Sequence, residues 1–171
     1  MSFHVRPAQK NDEDAIWDIL KSVITAGDAY AMAPDTPRKE AMQYWYASDK
    51  KLYVCEDQGD IVGAYFLKNN QPGLSSHIAT GSILISPAAR GRKIGFKLSC
   101  ELLERAKDLG YHAIQFNKVV KTNDAAVNLW KKLGFSIVGT VPNAFFHLEK
   151  QDYVDVYIMY LSLLNDTQKA A

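Results

Sequence analysis

Ile83-Leu-Ile-Ser-Pro-Ala-Ala-Arg-Gly-Arg-Lys-Ile-Gly-Phe96 is the stretch on which the reading of the fold turns. It starts as an apolar, β-rich run, breaks at Ser86-Pro87 and opens a helix expected over residues 94–109. Leu98, Leu102 and Ala106 form one stripe of that helix, and Gly110 stops it. A strand feeding a helix through Arg90-Gly-Arg-Lys-Ile-Gly95 aims several free backbone N–H groups at one point, where the helix dipole favours an anion. Gly91 and Gly95 have no Cβ, so the main chain can approach a bulky phosphate, and Arg90, Arg92 and Lys93 add positive charge. Taken alone the string reads as a solvent-exposed basic turn, and its context decides between the two readings.

Outward from this junction the chain alternates strand and helix patterns. Residues 2–8 alternate apolar and polar side chains as a strand does, and Asn11-Asp-Glu-Asp14 supplies an acidic first turn for a helix with Ile16, Ile19, Leu20 and Val23 on its apolar face. Residues 27–35 read as a loop. Thr36-Pro37 predicts a capped helix start, with the helix running to about Ala47. Residues 52–56 and 61–67 form a hairpin about Asp57-Gln-Gly-Asp60, and residues 76–85 are the next strand. Residues 113–119 are a fifth strand, and Thr122-Asn123-Asp124 caps a short helix to Leu133. Residues 135–141 and 153–163 are two late strands separated by a polar-aromatic loop over 142–152. This order predicts one α/β domain over residues 1–164, with a mixed sheet and helices on both faces, and a disordered tail over 165–171.

The chain has 171 residues, and 20 basic side chains face 19 acidic ones for a net charge of +1. That balance supplies no field for nucleic acid or an anionic membrane, so neither is expected as a partner. Cys55 and Cys100 belong to no ligand cluster, so no metal is expected. The N-terminus lacks a signal-like apolar core, no run is long enough to span a bilayer, and a cytoplasmic setting is the expectation.

In this context the loop resembles the acetyl-CoA loop of the GNAT N-acetyltransferases, Arg/Gln-x-x-Gly-x-Gly/Ala after the central strand. Arg90 and Gly95 match, and Lys93 stands in place of the middle glycine. Val5-Arg-Pro-Ala with Asn11-Asp-Glu-Asp14 resembles the family's first strand and helix start. Asn123 followed by Ala125-Ala-Val-Asn-Leu-Trp-Lys-Lys-Leu-Gly-Phe135 resembles its Asn-x-x-Ala to Gly-Phe segment. The resemblance covers nearly the whole chain. It implies a single-domain, mostly antiparallel sheet with a splayed central strand pair, and acetyl-CoA as cofactor.

The resemblance further implies direct transfer of acetyl to an amine within a ternary complex. The cofactor would lie along Ile83, Leu84 and Ile85, against residues Arg90, Gly91, Arg92, Lys93, Ile94, Gly95 and Phe96, and against Asn123 and Trp130. The Leu84 backbone N–H is expected to meet the oxygen that gains charge; one such donor is typically worth about 3–4 kcal/mol. Ordinary negative φ is expected at Lys93, because a lysine at positive φ is strained. Trp130 stands where the family often has a proton-donating tyrosine, and indole N–H is not a practical acid. Tyr153 and Tyr157 are substitutes or core residues. His77 and His147 are candidate bases, His147 on the loop that commonly covers the acceptor, and a water relay is the alternative to both.

A narrower resemblance rests on Gly27-Asp-Ala-Tyr-Ala-Met-Ala-Pro34, Asn69-Asn-Gln-Pro-Gly-Leu-Ser-Ser-His77 and Gln115-Phe-Asn-Lys-Val-Val-Lys-Thr-Asn123. These are similar to the yeast acetyltransferases of azetidine-2-carboxylate and related proline analogues. That similarity implies a small-molecule amine or imino-acid acceptor held by Asn117, with Thr80 in the place of a second asparagine. Asn117 reads equally as a satisfied buried amide, and Tyr30 as either pocket wall or loop cap. A protein N-terminus as acceptor and a non-catalytic acetyl-CoA-binding module are the alternatives. Residues 153–160 suit either a homodimer interface or a buried strand.

Overall fold

A computed structural model describes residues 3–89 and 91–165 of the chain. Arg90 and the expected tail beyond Asn165 lie outside the described residues. Seven strands form one sheet in the order β1-β2-β3-β4-β5-β7-β6. They are β1 (His4–Pro7), β2 (Lys51–Asp57), β3 (Asp60–Asn69), β4 (Ile78–Ile85), β5 (Ala113–Val120), β6 (Ser136–His147) and β7 (Asp152–Ser162). Every neighbouring pair is antiparallel except β4 and β5. Strand alternation sends side chains to two cores. Helices α1 (Glu13–Ala26) and α2 (Arg38–Trp45) cover one face through Ile16, Leu20, Ile24, Trp45, Val54, Ala64, Phe66 and Leu84. Helices α3 (Ile94–Asp108) and α4 (Asp124–Lys132) cover the other through Leu98, Leu102, Ile114, Phe116, Trp130 and Met159.

The parallel pair is short. Residues Ile78 and Ala79 pair with Ala113 and Ile114, and from there β4 and β5 diverge. Gly81 stands at that point of divergence. A Cβ there would lie 2.3 Å from the Phe66 carbonyl oxygen, so only glycine lets β3 and β4 keep their register. On the β5 side, a register shift between Phe116 and Val119 against β7 leaves Asn117 and Lys118 as a bulge facing the gap. The splayed central pair expected from the sequence is therefore present.

Two expected boundaries move. β6 continues to His147 instead of ending at Val141, because a register shift between Val141 and Phe145, with Asn143 at φ 52°, absorbs Pro142 without ending the pairing. At α2, Pro37 occupies the cap position and the Thr36 hydroxyl donates to the Ala33 carbonyl at 2.7 Å instead of capping the helix. The start of α1 is tied to β1 and β2. The Arg6 guanidinium donates to both Asp12 oxygens at 2.7 and 2.9 Å and to Glu56, which holds the buried Asp12 carboxyl below its usual range. That contribution to stability is present above the ordinary aspartate pKa and is lost as pH falls through the lowered one.

Candidate active site

The divergence of β4 from β5 opens a cleft of about 690 Å³ that passes from one face of the sheet to the other. On the α3–α4 side its walls are Ile83, Ile85, Gly95, Ser99, Phe116, Asn123, Leu129 and Trp130. On the α1–α2 side they are Val23, Tyr30, Met32, Tyr44, Phe66, Lys68, Thr80 and Ser82, with Asn117 and Lys118 at the bulge. Side chains on β4 divide by parity: Thr80 and Ser82 belong with buried Leu84, whereas Ile83 and Ile85 pack toward the other core.

The same parity identifies the free amides. Asn70 N–H donates to Ile78 O at 2.8 Å and Ser86 N–H to Val62 O at 2.9 Å, at the two ends of the β3–β4 ladder. Even-numbered residues of β4 therefore exchange their backbone bonds with β3, and odd-numbered ones face β5. The Leu84 amide points at β3 and not into the gap, contrary to the expectation that it faces the reacting oxygen. Ile83, together with Gly81 and Ile85, turns its N–H into the gap, where β5 no longer offers a carbonyl. Leu84 itself is a core side chain against α1.

The loop between β4 and α3 departs from expectation at Lys93, whose φ is +59° rather than negative. Lys93 is the N-cap of α3 and its carbonyl accepts the Lys97 N–H at 3.1 Å. With Gly91 at φ 77°, this left-handed step turns the chain from the short helical turn at Pro87–Ala89 onto the axis of α3. The conformation costs a non-glycine residue about 1–2 kcal/mol. Among the described residues no side chain caps α3, which leaves its first-turn amides for an external acceptor, whereas α4 is capped by Asn123, whose side chain accepts the Ala126 N–H at 3.1 Å.

Gly95 supports the same reading. Among the described residues a Cβ on it would touch only Ile85 Cγ1 at 3.9 Å, and its φ is not positive, so none of them requires glycine there. Alanine would favour the helix by about 1 kcal/mol. The missing side chain keeps space open on the outer surface of the turn, as a phosphate cradle needs. Other loop residues take different parts than expected. The Arg92 guanidinium is paired with buried Asp57 on β2 and anchors the loop instead of facing the cleft. Ile94 is buried in the core, and half-exposed Phe96 sits under the Lys132 ammonium at 5.0 Å. Neither side chain lines the cleft.

Trp130 does line it, held in an aromatic cluster with Phe116 at 4.4 Å and Phe135 at 5.2 Å between ring centres. Asn117 is exposed at the cleft rather than a buried amide. It accepts from Gln115 Nε2 at 2.8 Å and donates to Asn70 Oδ1 at 2.6 Å, so the loop after β3 and the bulge of β5 are joined over the closed end of the gap. Tyr30 and Thr80 line the α1–α2 side of the cleft. The Tyr30 ring stacks on Trp45 at 6.3 Å, and burial holds its hydroxyl well above the usual tyrosine pKa despite Ser82 and the Trp45 indole close by. Burial thus keeps Tyr30 a neutral phenol.

Both histidine candidates fall outside the cleft. His77 is exposed before β4, its ring 5.5 Å from that of His112, where the two strands are still joined through His112 N–H and His77 O. His147 is 5% exposed and accepts the Lys150 N–H into Nδ1 at 3.4 Å, which closes the β6–β7 turn. Its neighbour Leu148 donates its N–H to Gly27 O at 3.0 Å and packs over Gly27, at the entrance to the Tyr30 loop. Tyr153 is exposed against Phe146, Tyr157 packs on the core, and neither lines the cleft. Sequence reading missed Lys68, Lys118, Ser82 and Ser99. Lysines near strand ends and a serine beside an apolar helical stripe carry no local signature.

The acetyltransferase (GNAT) family profile matches residues 16–135. The chain belongs to this family. A solved GNAT structure from Kribbella flavida superposes with a TM-score of 0.87 at 35% identity, covering 94% of this chain and 97% of that one. The N-acetyltransferase aca1 of Schizosaccharomyces pombe is 37% identical over 98 residues, 57% of this chain and 47% of its own length. The L-amino acid N-acetyltransferase AaaT of Escherichia coli is 32% identical over 111 residues, 64% of this chain and 66% of its own. The chain thus matches about half of the first of these relatives and two thirds of the second. Acetyl-CoA is the cosubstrate of the family and is held by other proteins of this fold. The uncapped start of α3, the open face of Gly95 and the gap beside Ile83 fit it. Among the described residues no helix is long and apolar enough to cross a membrane.

Proposed function

We propose that the protein acetylates the amine of a small amino or imino acid, with acetyl-CoA as donor. The observation that carries this is the charge of the cleft: Lys68 and Lys118 line it, and among the described residues no aspartate or glutamate does. Lys68 is paired with Asp49 at 3.0 Å, outside the lining, so part of its charge is balanced, and Lys118 lies exposed on the bulge. An acceptor bearing a carboxylate gains from these cations. A polyamine or a lysine-rich tail brings a second positive charge to a wall that offers it no anion.

When bound, the cofactor supplies an activated acetyl group as a thioester. The chain's part is to orient and to stabilise. The Gly91–Gly95 turn and the first amides of α3 hold the phosphates, and the odd-numbered face of β4 aligns the arm. The Ile83 N–H, fixed by the β3–β4 ladder, donates to the carbonyl oxygen as it gains charge. Asn117, already oriented by Gln115 and Asn70, positions the acceptor, and Tyr30 donates a hydrogen bond from the opposite wall. With no histidine or carboxylate among the described residues that line the cleft, the amine's proton leaves to water, and Trp130 shields the thiol end without serving as an acid.

A thiol-release screen of acetyl-CoA against proline, azetidine-2-carboxylate, neutral amino acids, spermidine and N-terminal peptides tests the reading. Turnover confined to the amino and imino acids is the expected result. Preference for spermidine or peptides would overturn the acceptor class, and acetyl-CoA binding without release across the panel would make the protein a binding module.

A further inference from the structure

Ser99 is the odd residue of the cofactor side. It is 0% exposed and lines the cleft, yet its Oγ has no hydrogen-bond partner among the described residues. A helical serine has a local remedy, donation to the carbonyl four residues back, and Ser99 does not make that bond. The walls nearby are apolar, formed by Ile83, Ile85, Phe116, Leu129 and Trp130. A buried, unpaired hydroxyl costs stability, and a valine or leucine would fill the place without that cost.

Its position says what could satisfy it. Ser99 follows Gly95 by one helical turn, about 6 Å along α3 at 1.5 Å per residue. It lies past the phosphate cradle, on the same side of the gap as Ile83 and Ile85. The part of acetyl-CoA that must pass between the cradle and the Ile83 amide is the pantetheine arm, whose polar groups are amides. We propose that Ser99 is an arm-reading residue: its Oγ–H donates to an amide carbonyl of pantetheine and is satisfied only in the complex. The hydroxyl then weakens the ligand-free protein and strengthens binding of the complete cofactor, while contributing nothing to recognition of the nucleotide.

This inference rests on the cofactor assignment and is separable from it. The test compares wild type and Ser99→Ala by calorimetric titration with coenzyme A and with 3′-phosphoadenosine 5′-diphosphate, which keeps the nucleotide and phosphates but lacks the arm. The expected result for Ser99→Ala is a coenzyme A affinity about 5- to 10-fold weaker, corresponding to the loss of one hydrogen bond. Affinity for the nucleotide should be unchanged and the ligand-free melting temperature equal to or above that of wild type. Ser99→Cys, a near-isostere with a weak donor, should fall between the two in coenzyme A affinity. Unchanged coenzyme A affinity in Ser99→Ala, or equal losses for both ligands, would overturn the proposal. Wild-type protein that bound neither ligand would overturn the cofactor assignment, and this inference with it.

Discussion

The two ends of the cleft are built by different means. The proposed cofactor end is made mainly of backbone: the turn through Gly91 and Lys93, the start of α3 and the Ile83 amide, all within residues 83–95. The proposed acceptor end is made of side chains gathered from distant elements: Tyr30 after α1, Lys68 on β3, Thr80 and Ser82 on β4, and Asn117 on the β5 bulge. Two long-range contacts hold it together, the Asn70–Asn117–Gln115 amide chain and the Leu148 contact on Gly27. A backbone cradle accepts the same phosphates whatever the acceptor, and a side-chain wall can change with the acceptor without disturbing the cradle. The two ends should therefore be separable by mutation.

The widest separation is expected at Gly95. Gly95→Val places a branched side chain on the open face of the cradle, and acetyl-CoA affinity should fall roughly 100-fold, about 2.7 kcal/mol, as more than one charged hydrogen bond is lost. Because a Cβ there meets only Ile85 at 3.9 Å, the melting temperature should hold. A parallel loss of stability would mean that Gly95 serves packing instead. At the other end, Gly27→Ala meets both a φ of +60° and a Cβ position 2.1 Å from Leu148 Cδ1. It should cost about 2 kcal/mol in chemical denaturation. Adding Leu148→Ala should relieve the steric part but not the backbone part, and an additive double mutant would show that the contact does not hold the loop.

Asn117→Ala should lower kcat/KM for the acceptor about 10-fold, the value of one well-oriented hydrogen bond. Acetyl-CoA affinity measured by titration should be unaffected, and equal loss in both would remove Asn117 from the acceptor role. The smallest effect belongs to Lys93→Gly. Relief of the left-handed conformation is partly offset by the added freedom of the unfolded chain, leaving a gain below about 1 kcal/mol. A loss of stability would indicate that the lysine side chain contributes more than its strained backbone costs.

The same contrast explains what the sequence made legible. The phosphate turn is local, so Gly91 and Gly95 could be read from the fourteen residues Ile83–Phe96, and the helix that follows from the Leu98, Leu102 and Ala106 stripe. The mixed sheet and its splayed central pair could be read from element order and the resemblance. Parity was not legible to the residue. Whether Leu84 or Ile83 offers its amide to the gap depends on the β3–β4 register, which is set by pairing across the sheet. The positive φ of Lys93 follows from the angle at which α3 leaves β4, a tertiary quantity. His147 looked like a loop residue because Pro142 reads as a strand breaker, and the bulge that lets β6 pass it is formed with β7. Lys68, Lys118 and Ser99 acquire meaning only once strands and helices far apart in the chain enclose one cleft.

The most direct test of the account is acetyl-CoA-dependent thiol release by the wild-type protein with a small amino or imino acid, alongside spermidine, with products analysed by mass spectrometry. The account predicts one N-acetylated amino or imino acid per thiol released, and little turnover of spermidine. Thiol release without an acetylated amine, or acetylated spermidine as the main product, would contradict it.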